Sequence, residues 1–237
     1  GGNSGIGLST AQAFVREGAK VVVFGRDQST LDAAVETLGS DAIGVRGNVT
    51  NDDDLDTLYD TVKKRFGKVD ILFANAGIAE FLPLREASEE HFDRIFNVNV
   101  KGVFKTVQRA EAVLNDGASV ILNSSNSNQI GFPGTTVYAA TKAAVRSFSR
   151  TMSSEFLDRK IRVNTVSPGP VLTPIFGRMG LPEEVADGME DQLASLVPLK
   201  RAGQPREIAD AIVFLASDES TYMVGAEMVL DGGHSQL

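Results

Sequence analysis

Apolar residues fall along this chain in two alternating rhythms. Short, nearly continuous runs rich in β-branched residues recur at "KVVVFG" (20–25), "AIGVRGNV" (42–49), "VDILFANAG" (69–77), "ASVILNSS" (118–125), "IRVNTVSPG" (161–169) and "AEMVLDGG" (226–233). Such runs suit strands buried on both faces. Between them lie "LSTAQAFVREG", "STLDAAVETL", "DDLDTLYDTVKKRF", "EEHFDRIFNVNVKGVFKTVQRAEAVL" and "VYAATKAAVRSFSRTMSSEFL", with apolar positions every three or four residues, the spacing of amphipathic helices. The alternation predicts right-handed crossovers and an α/β fold: a doubly wound, Rossmann-type parallel sheet of about seven strands with helices on both faces. Residues 173–207 interrupt it with Pro, Gly and Met, and read as one or two short helices in an excursion beside a site.

The opening "GGNSGIGLST" is a glycine-rich turn into a helix. Gly5 and Gly7 straddle Ile6, so backbone amides there can approach a pyrophosphate at the positive end of the helix; glycine-rich turns also arise for packing alone. In a doubly wound sheet the strand feeding this turn is the central one, and without it its neighbours lose ladder partners. An apolar strand of roughly five or six residues upstream of Gly1 is therefore expected.

At 237 residues, the whole of 1–237 is expected to form a single dinucleotide-binding and catalytic domain. The formal charge of −8 argues against a nucleic-acid surface. The absence of cysteine excludes disulfides and thiolate chemistry, and fits a cytoplasmic protein. The two histidines, His91 and His234, have no ligand-like spacing, so no metal is expected. His91 is expected near a helix start, facing solvent or assisting the helix end; His234, to line a subunit contact or the mouth of the pocket. The apolar runs are too short to cross a bilayer.

Two local features bear on chemistry. About twenty residues past the glycines, where an acidic side chain would meet the ribose of NAD, the chain has Gly25 and then Arg26. Glycine leaves room, and a guanidinium can pair with a 2′-phosphate, so NADP(H) is favoured, with NAD(H) left open. Tyr138 and Lys142 stand four residues apart, one turn along a helix face. An ammonium about 4 Å from the phenol would favour phenolate by roughly 4 kcal/mol, about three pKa units, and bring the tyrosine near working pH.

Together these motifs resemble the short-chain dehydrogenase/reductase family over the whole chain. Gly1, Gly5 and Gly7 match the glycines of T-G-x-x-x-G-x-G, with Ser4 and Ile6 inside that loop. "ANAG" resembles N-N-A-G, keeping Asn75, Ala76 and Gly77 but having Ala74 first. "SPGPVLT" resembles the element that binds the nicotinamide end, implying contacts from Pro168, Gly169, Val171 and Thr173. Asn48 and Val49 stand where the family usually has an acidic residue and Val facing the adenine; an amide oxygen can still accept that hydrogen bond.

The resemblance implies a catalytic set of Asn99, Ser125, Tyr138 and Lys142. Tyr138 is the general acid/base, Lys142 lowers its pKa and bonds the nicotinamide ribose, Ser125 polarises the carbonyl, and Asn99 holds a relay water. Ser124 and Ser127 compete with Ser125 for the serine role. The implied reaction is carbonyl–alcohol interconversion by hydride transfer; an NADPH sensor without turnover is the alternative. The substrate is expected to be a neutral ketone, aldehyde or alcohol under an apolar lid of Phe132, Phe176, Met179, Leu181 and Met189. Arg178, Lys200 and Arg201 are read as solvated, and a homotetramer is implied by resemblance.

Overall fold

The computed structural model describes residues 1–174 and 188–237, with Met189 and Glu190 described by their backbone. Its strands are β1 (Val21–Gly25), β2 (Ala42–Arg46), β3 (Val69–Ala74), β4 (Leu114–Asn123), β5 (Arg162–Pro168) and β6 (Glu227–Leu230). All pairings among them are parallel. The helices are α1 (Gly5–Arg16), α2 (Gln28–Leu38), α3 (Asp52–Phe66), α4 (Glu89–Phe96), α5 (Gly102–Ala110), α6 (Thr136–Glu155), α7 (Met189–Leu196) and α8 (Pro205–Ala216).

Alternate side chains of the strands serve opposite faces, as the pleat requires. Val120 and Leu122 of β4, with Leu72 and Ala74 of β3, pack against α3, α5 and α6. Ile121, Ile71 and Phe73 turn the other way, toward Ile6 and Phe14 of α1 and Ile208, Ile212 and Leu215 of α8. A third cluster, around Leu31 and Val23, seats α2 and α1 on β1. Each strand is thus apolar on both sides, which is why its sequence reads as an unbroken run.

Two departures from the sequence pattern have local causes. The helix expected over 89–114 is interrupted by a π-helical turn at Asn97–Lys101 and stops at Ala110. Beyond it Val113 N–H donates to Ala110 O, and Leu114 pairs with Val69 to begin β4; the last apolar residues of that run are buried by the sheet. The pattern also assigns no element to 208–216, where α8 packs against α1. Pro205 opens α8, and Glu207 Oε2 accepts from Gln204 N–H at 2.8 Å, a start signal of the expected type.

The described strands number six and form two groups, β1–β2 and β3–β4–β5–β6. β1 and β3 are not paired with each other. Between their edges runs a slot of about 560 Å³, lined by residues that include Val21, Val23, Ile71, Phe73, Tyr59 and Val103. An apolar strand laid in this slot would meet both edges. Each backbone hydrogen bond it made would contribute about 1 kcal/mol, and each buried Val, Ile or Leu about 2 kcal/mol. A version of the protein carrying an apolar strand of roughly five or six residues before Gly1 is therefore expected to be more stable by at least about 5 kcal/mol. Urea unfolding of the two lengths side by side checks this, and equal midpoints would count against a strand in the slot.

Candidate active site

The loops that leave the carboxyl ends of β1 to β5 enclose a cleft of about 780 Å³, the place where open α/β sheets hold ligands. Gly1, Ser4, Gly5 and Ile6 line one part of it. Ser4 sits at the start of α1 in extended conformation, and its side chain caps no amide of the first turn, so these N–H groups stay available to an anion. Gly7 does not line the cleft; it lies behind, where a Cβ would come within 2.0 Å of Gly1 O. Glycine is needed there for the loop to close on the helix. Asn75 ties the loop down: its Nδ2 donates to Gly1 O at 2.6 Å, and its Oδ1 accepts from Asn123 Nδ2 at 2.7 Å.

At the end of β1, a Cβ on Gly25 would meet Asn3 Oδ1 at 2.7 Å. Asn3 Nδ2 in turn donates to Thr30 Oγ1 at 2.7 Å. The missing side chain at 25 thus has a packing reason beside the electrostatic one. Asn3 and Thr30 line the cleft together with Arg26. Neither Asn3 nor Thr30 is picked out by sequence motif alone; Asn3 lies between the glycines of the loop, and Thr30 lies three residues after the N-cap Asp27, whose Oδ1 accepts from Thr30 N–H at 2.8 Å. Asn48 and Val49 also line the cleft. Asn48 Oδ1 already accepts from Thr50 N–H at 3.1 Å, which leaves one lone pair for a ligand.

Ser125, Tyr138 and Lys142 meet on the wall formed by the end of β4 and the first turns of α6. Ser125 stands close enough to the Tyr138 phenol to pull its pKa down, and the Tyr138 ring meets Phe81 edge-on with centroids 5.4 Å apart. Ser124 is excluded from the serine role by its commitments: its Oγ donates to Lys142 O at 2.8 Å and accepts from Asn128 Nδ2 at 3.1 Å. Asn128 Nδ2 also reaches Glu227 Oε1 at 2.6 Å, and Glu227 pairs with Arg146 at 2.9 Å, one turn beyond Lys142. The serine loop, α6 and β6 are locked together by this network.

The expected electrostatics of the tyrosine do not hold in this structure. Lys142 Nζ donates to Asn123 O at 3.0 Å and lies 5.6 Å from the Tyr138 ring centre. Burial pushes the phenol up to about 12, against the hydrogen bond from Ser125 that pulls it down. Burial also lowers Lys142 to about 8. The ammonium is spent on a backbone carbonyl, and desolvation of the phenol outweighs it.

Asn99 is fully buried on the π-helical turn, a geometry that recurs at functional sites. It does not line the cleft. Its Oδ1 accepts from Ile78 N–H at 2.8 Å, and its Nδ2 donates to Ile78 O at 2.9 Å and to Thr141 Oγ1 at 3.2 Å. Ala76 and Gly77 line the wall in front of it, as do Pro168, Gly169, Val171 and Thr173 on the opposite lip. Val171 is held by a bridge to Gly203.

His91 differs from its expected exposed position. It is 4% exposed, on the same helix face as the buried Ile95, with Nδ1 3.6 Å from Glu80 Oε2; Glu80 also pairs with Arg94. His234 lines the cleft beside Phe132. Arg201 pairs with Glu207 at 2.6 Å, half in solvent, and Lys200 is exposed. Phe176, Arg178, Met179 and Leu181 lie outside the described residues, as does the Met189 side chain. Among the described residues no helix is long and apolar enough to cross a membrane.

A family profile described as Enoyl-(Acyl carrier protein) reductase matches residues 1–235. The oxidoreductase asL5 of Sarocladium schorii is 41% identical over 100% of this chain and 94% of its own length. This chain is a short-chain dehydrogenase/reductase. As such it is an oxidoreductase that uses a nicotinamide cofactor. The chain shares 36% identity with the 3-oxoacyl-[acyl-carrier-protein] reductase FabG of Thermotoga maritima, over 98% of this chain and 94% of that one. A solved short-chain dehydrogenase/reductase from Brucella melitensis superposes with a TM-score of 0.92 at 32% identity, covering 100% of this chain and 95% of the other. The residues present fit the cofactor: uncapped amides stand at the α1 end of the cleft, and Lys142 and Tyr138 stand in the same wall.

Proposed function

We propose that this reductase interconverts a neutral ketone or aldehyde with its alcohol, with Tyr138 as general acid/base, and that it prefers NADP(H). The observation that carries the reading is the convergence of Ser125, Tyr138 and Lys142 on one wall of the cleft, with Ser125 close enough to the phenol to lower its pKa. A sensor without turnover would have no use for that set. The same reading places the cofactor-binding role on Gly1, Ser4, Gly5, Ile6, Arg26, Asn48, Val49, Asn75, Ala76, Gly77, Pro168, Gly169, Val171 and Thr173, with Gly7 shaping the loop from behind.

The cofactor, when bound, supplies the hydride. Ser125 Oγ–H holds the substrate oxygen, and Tyr138 O–H gives it a proton as negative charge develops there. A phenol held up at about 12 is fully protonated at neutral pH, which suits the reductive direction. The Lys142 ammonium then stabilises the resulting phenolate and returns the proton. Asn99, tied to Ile78 and Thr141, acts as a positioning residue that fixes the loop in front of Lys142; a relay water beside it belongs to this same proposal.

A cytoplasmic setting belongs to the same proposal, and the absence of cysteine is compatible with it. A homotetramer is supported by the apolar surface of α5 and α6, where Phe104, 41% exposed, and Phe148 bring their rings to 6.1 Å.

Four outcomes are expected. Tyr138→Phe should lower kcat for ketone reduction by about 10²- to 10⁴-fold with nicotinamide binding retained; in the wild type, reduction should fall as pH rises through about 8, where Lys142 loses its charge, while alcohol oxidation, which needs phenolate, should rise with pH. Comparable turnover by the variant would end the assignment. Arg26→Ala should raise the KM for NADPH by about 10- to 100-fold, the worth of a charge-assisted bond to phosphate, and change that for NADH little. In sedimentation velocity the wild type should run as a tetramer and Phe104→Asp as a smaller species; a wild-type monomer at micromolar concentration would refute the assembly.

A further inference from the structure

The inference rests on the oxidoreductase reading and concerns a stretch of the cleft that the reading leaves unused. Immediately after Ser125, the buried Asn126 directs one nitrogen at two acceptors: Nδ2 lies 3.2 Å from Asp231 Oδ2 and 3.3 Å from His234 Nδ1. A carboxylate only accepts, so the amide nitrogen is the atom that faces Asp231. The second hydrogen on that nitrogen meets the imidazole. Nδ1 therefore presents its lone pair, and in the neutral ring the proton sits on Nε2.

The rest of the turn holds this arrangement in place. Asp231 accepts from Gly233 N–H at 3.0 Å and from Ser235 N–H at 2.7 Å. Phe132 packs beside the imidazole, with ring centres 5.1 Å apart. His234 lines the cleft, and its Nε2 has no partner among the described residues. On the other side of Asn126, Ser127 is 8% exposed and lines the same cleft, and its buried Oγ has no hydrogen-bond partner. A buried hydroxyl left in that state costs about 1–3 kcal/mol, so Ser127 Oγ calls for a partner atom, and His234 lines the same cleft.

We propose that Ser127 Oγ and His234 Nε2–H hold a second oxygen of the substrate, so that the preferred substrates carry a hydroxyl or carbonyl oxygen in addition to the reacting one. The imidazole N–H donates, and the serine hydroxyl turns to donate or accept, so a neutral oxygen suits each of them. No cation belongs to this stretch: the basic residues in the described lining are Arg26, after β1, and Lys142, bonded to Asn123 O, besides His234 itself. A neutral second oxygen fits better than a carboxylate.

With only two histidines in the chain, ¹⁵N-histidine NMR reads this site directly, His234→Phe assigning the signals. Cyclohexanone is compared with the ring-hydroxylated cyclohexanones, by titration and by NADPH-dependent turnover in wild type, His234→Phe and Ser127→Ala. His234 should be the Nε2-protonated tautomer, and its Nε2 signal should shift saturably with a hydroxylated ketone and not with cyclohexanone. The hydroxylated substrate should be favoured in kcat/KM by at least about 10-fold, the worth of one hydrogen bond, and both variants should bring the ratio toward one. Turnover with an unmoved Nε2 signal and an unchanged ratio in both variants would overturn the second-oxygen site and keep the oxidoreductase reading. A saturable shift with no turnover of any ketone by the wild type would keep the site and overturn that reading.

Discussion

A buried ammonium has to be bonded, and the way Lys142 meets that demand organises the rest of the site. At 5% exposure its Nζ turns to the carbonyl of Asn123, the last residue of β4. That bond sets the distance between the end of β4 and the second turn of α6. The carbonyl of Lys142 then accepts from Ser124 Oγ, so strand end and helix are joined from both directions. Ser125, next in the chain, is left facing Tyr138. Desolvation of a cation is costly, and the cost is offset only because the partner is a fixed backbone dipole at a sheet terminus.

The same sheet terminus governs the cofactor side. Asn123 also bonds Asn75, and Asn75 bonds Gly1. One residue at the end of β4 therefore links the lysine and the glycine loop, which come from opposite ends of the cleft in sequence. Farther out, Arg146 and Glu227 close the back of the serine loop through Asn128. Such a pair, with both side chains mostly buried, contributes more by fixing geometry than by its net energy.

Strand runs, helix periodicity and the glycine turn were legible in the sequence because each reports a local rule: two-sided burial, one-sided burial, and close approach of backbone. Most of the cleft lining could be named, from Gly1 through Thr173, because the family motifs sit at strand ends; Gly7 and Asn99, named with it, lie behind it. What was not legible depends on contacts distant in the chain. His91 was expected to face solvent or assist the helix end, yet it is buried, with Glu80, eleven residues earlier, 3.6 Å from its Nδ1. Leu114 reads as the end of a helix until β3 is there to pair with it. Asn3 has no signature of its own; its importance comes from Gly25 leaving space and Thr30 supplying an acceptor.

The tyrosine shows why spacing alone misjudges electrostatics. Four residues on a helix bring the two side chains onto one face, but the sign of the pKa shift depends on where the ammonium points and how much water reaches the phenol. Here Nζ points at Asn123 and the phenol is desolvated, so the acid form is favoured. An environment of this kind stores the proton until charge appears on a neighbouring oxygen. The ammonium beside the ring then gains more from the phenolate than it could from the neutral phenol. Burial and the nearby cation are opposed for the resting tyrosine, and it is the developing charge of the reaction that brings them into agreement.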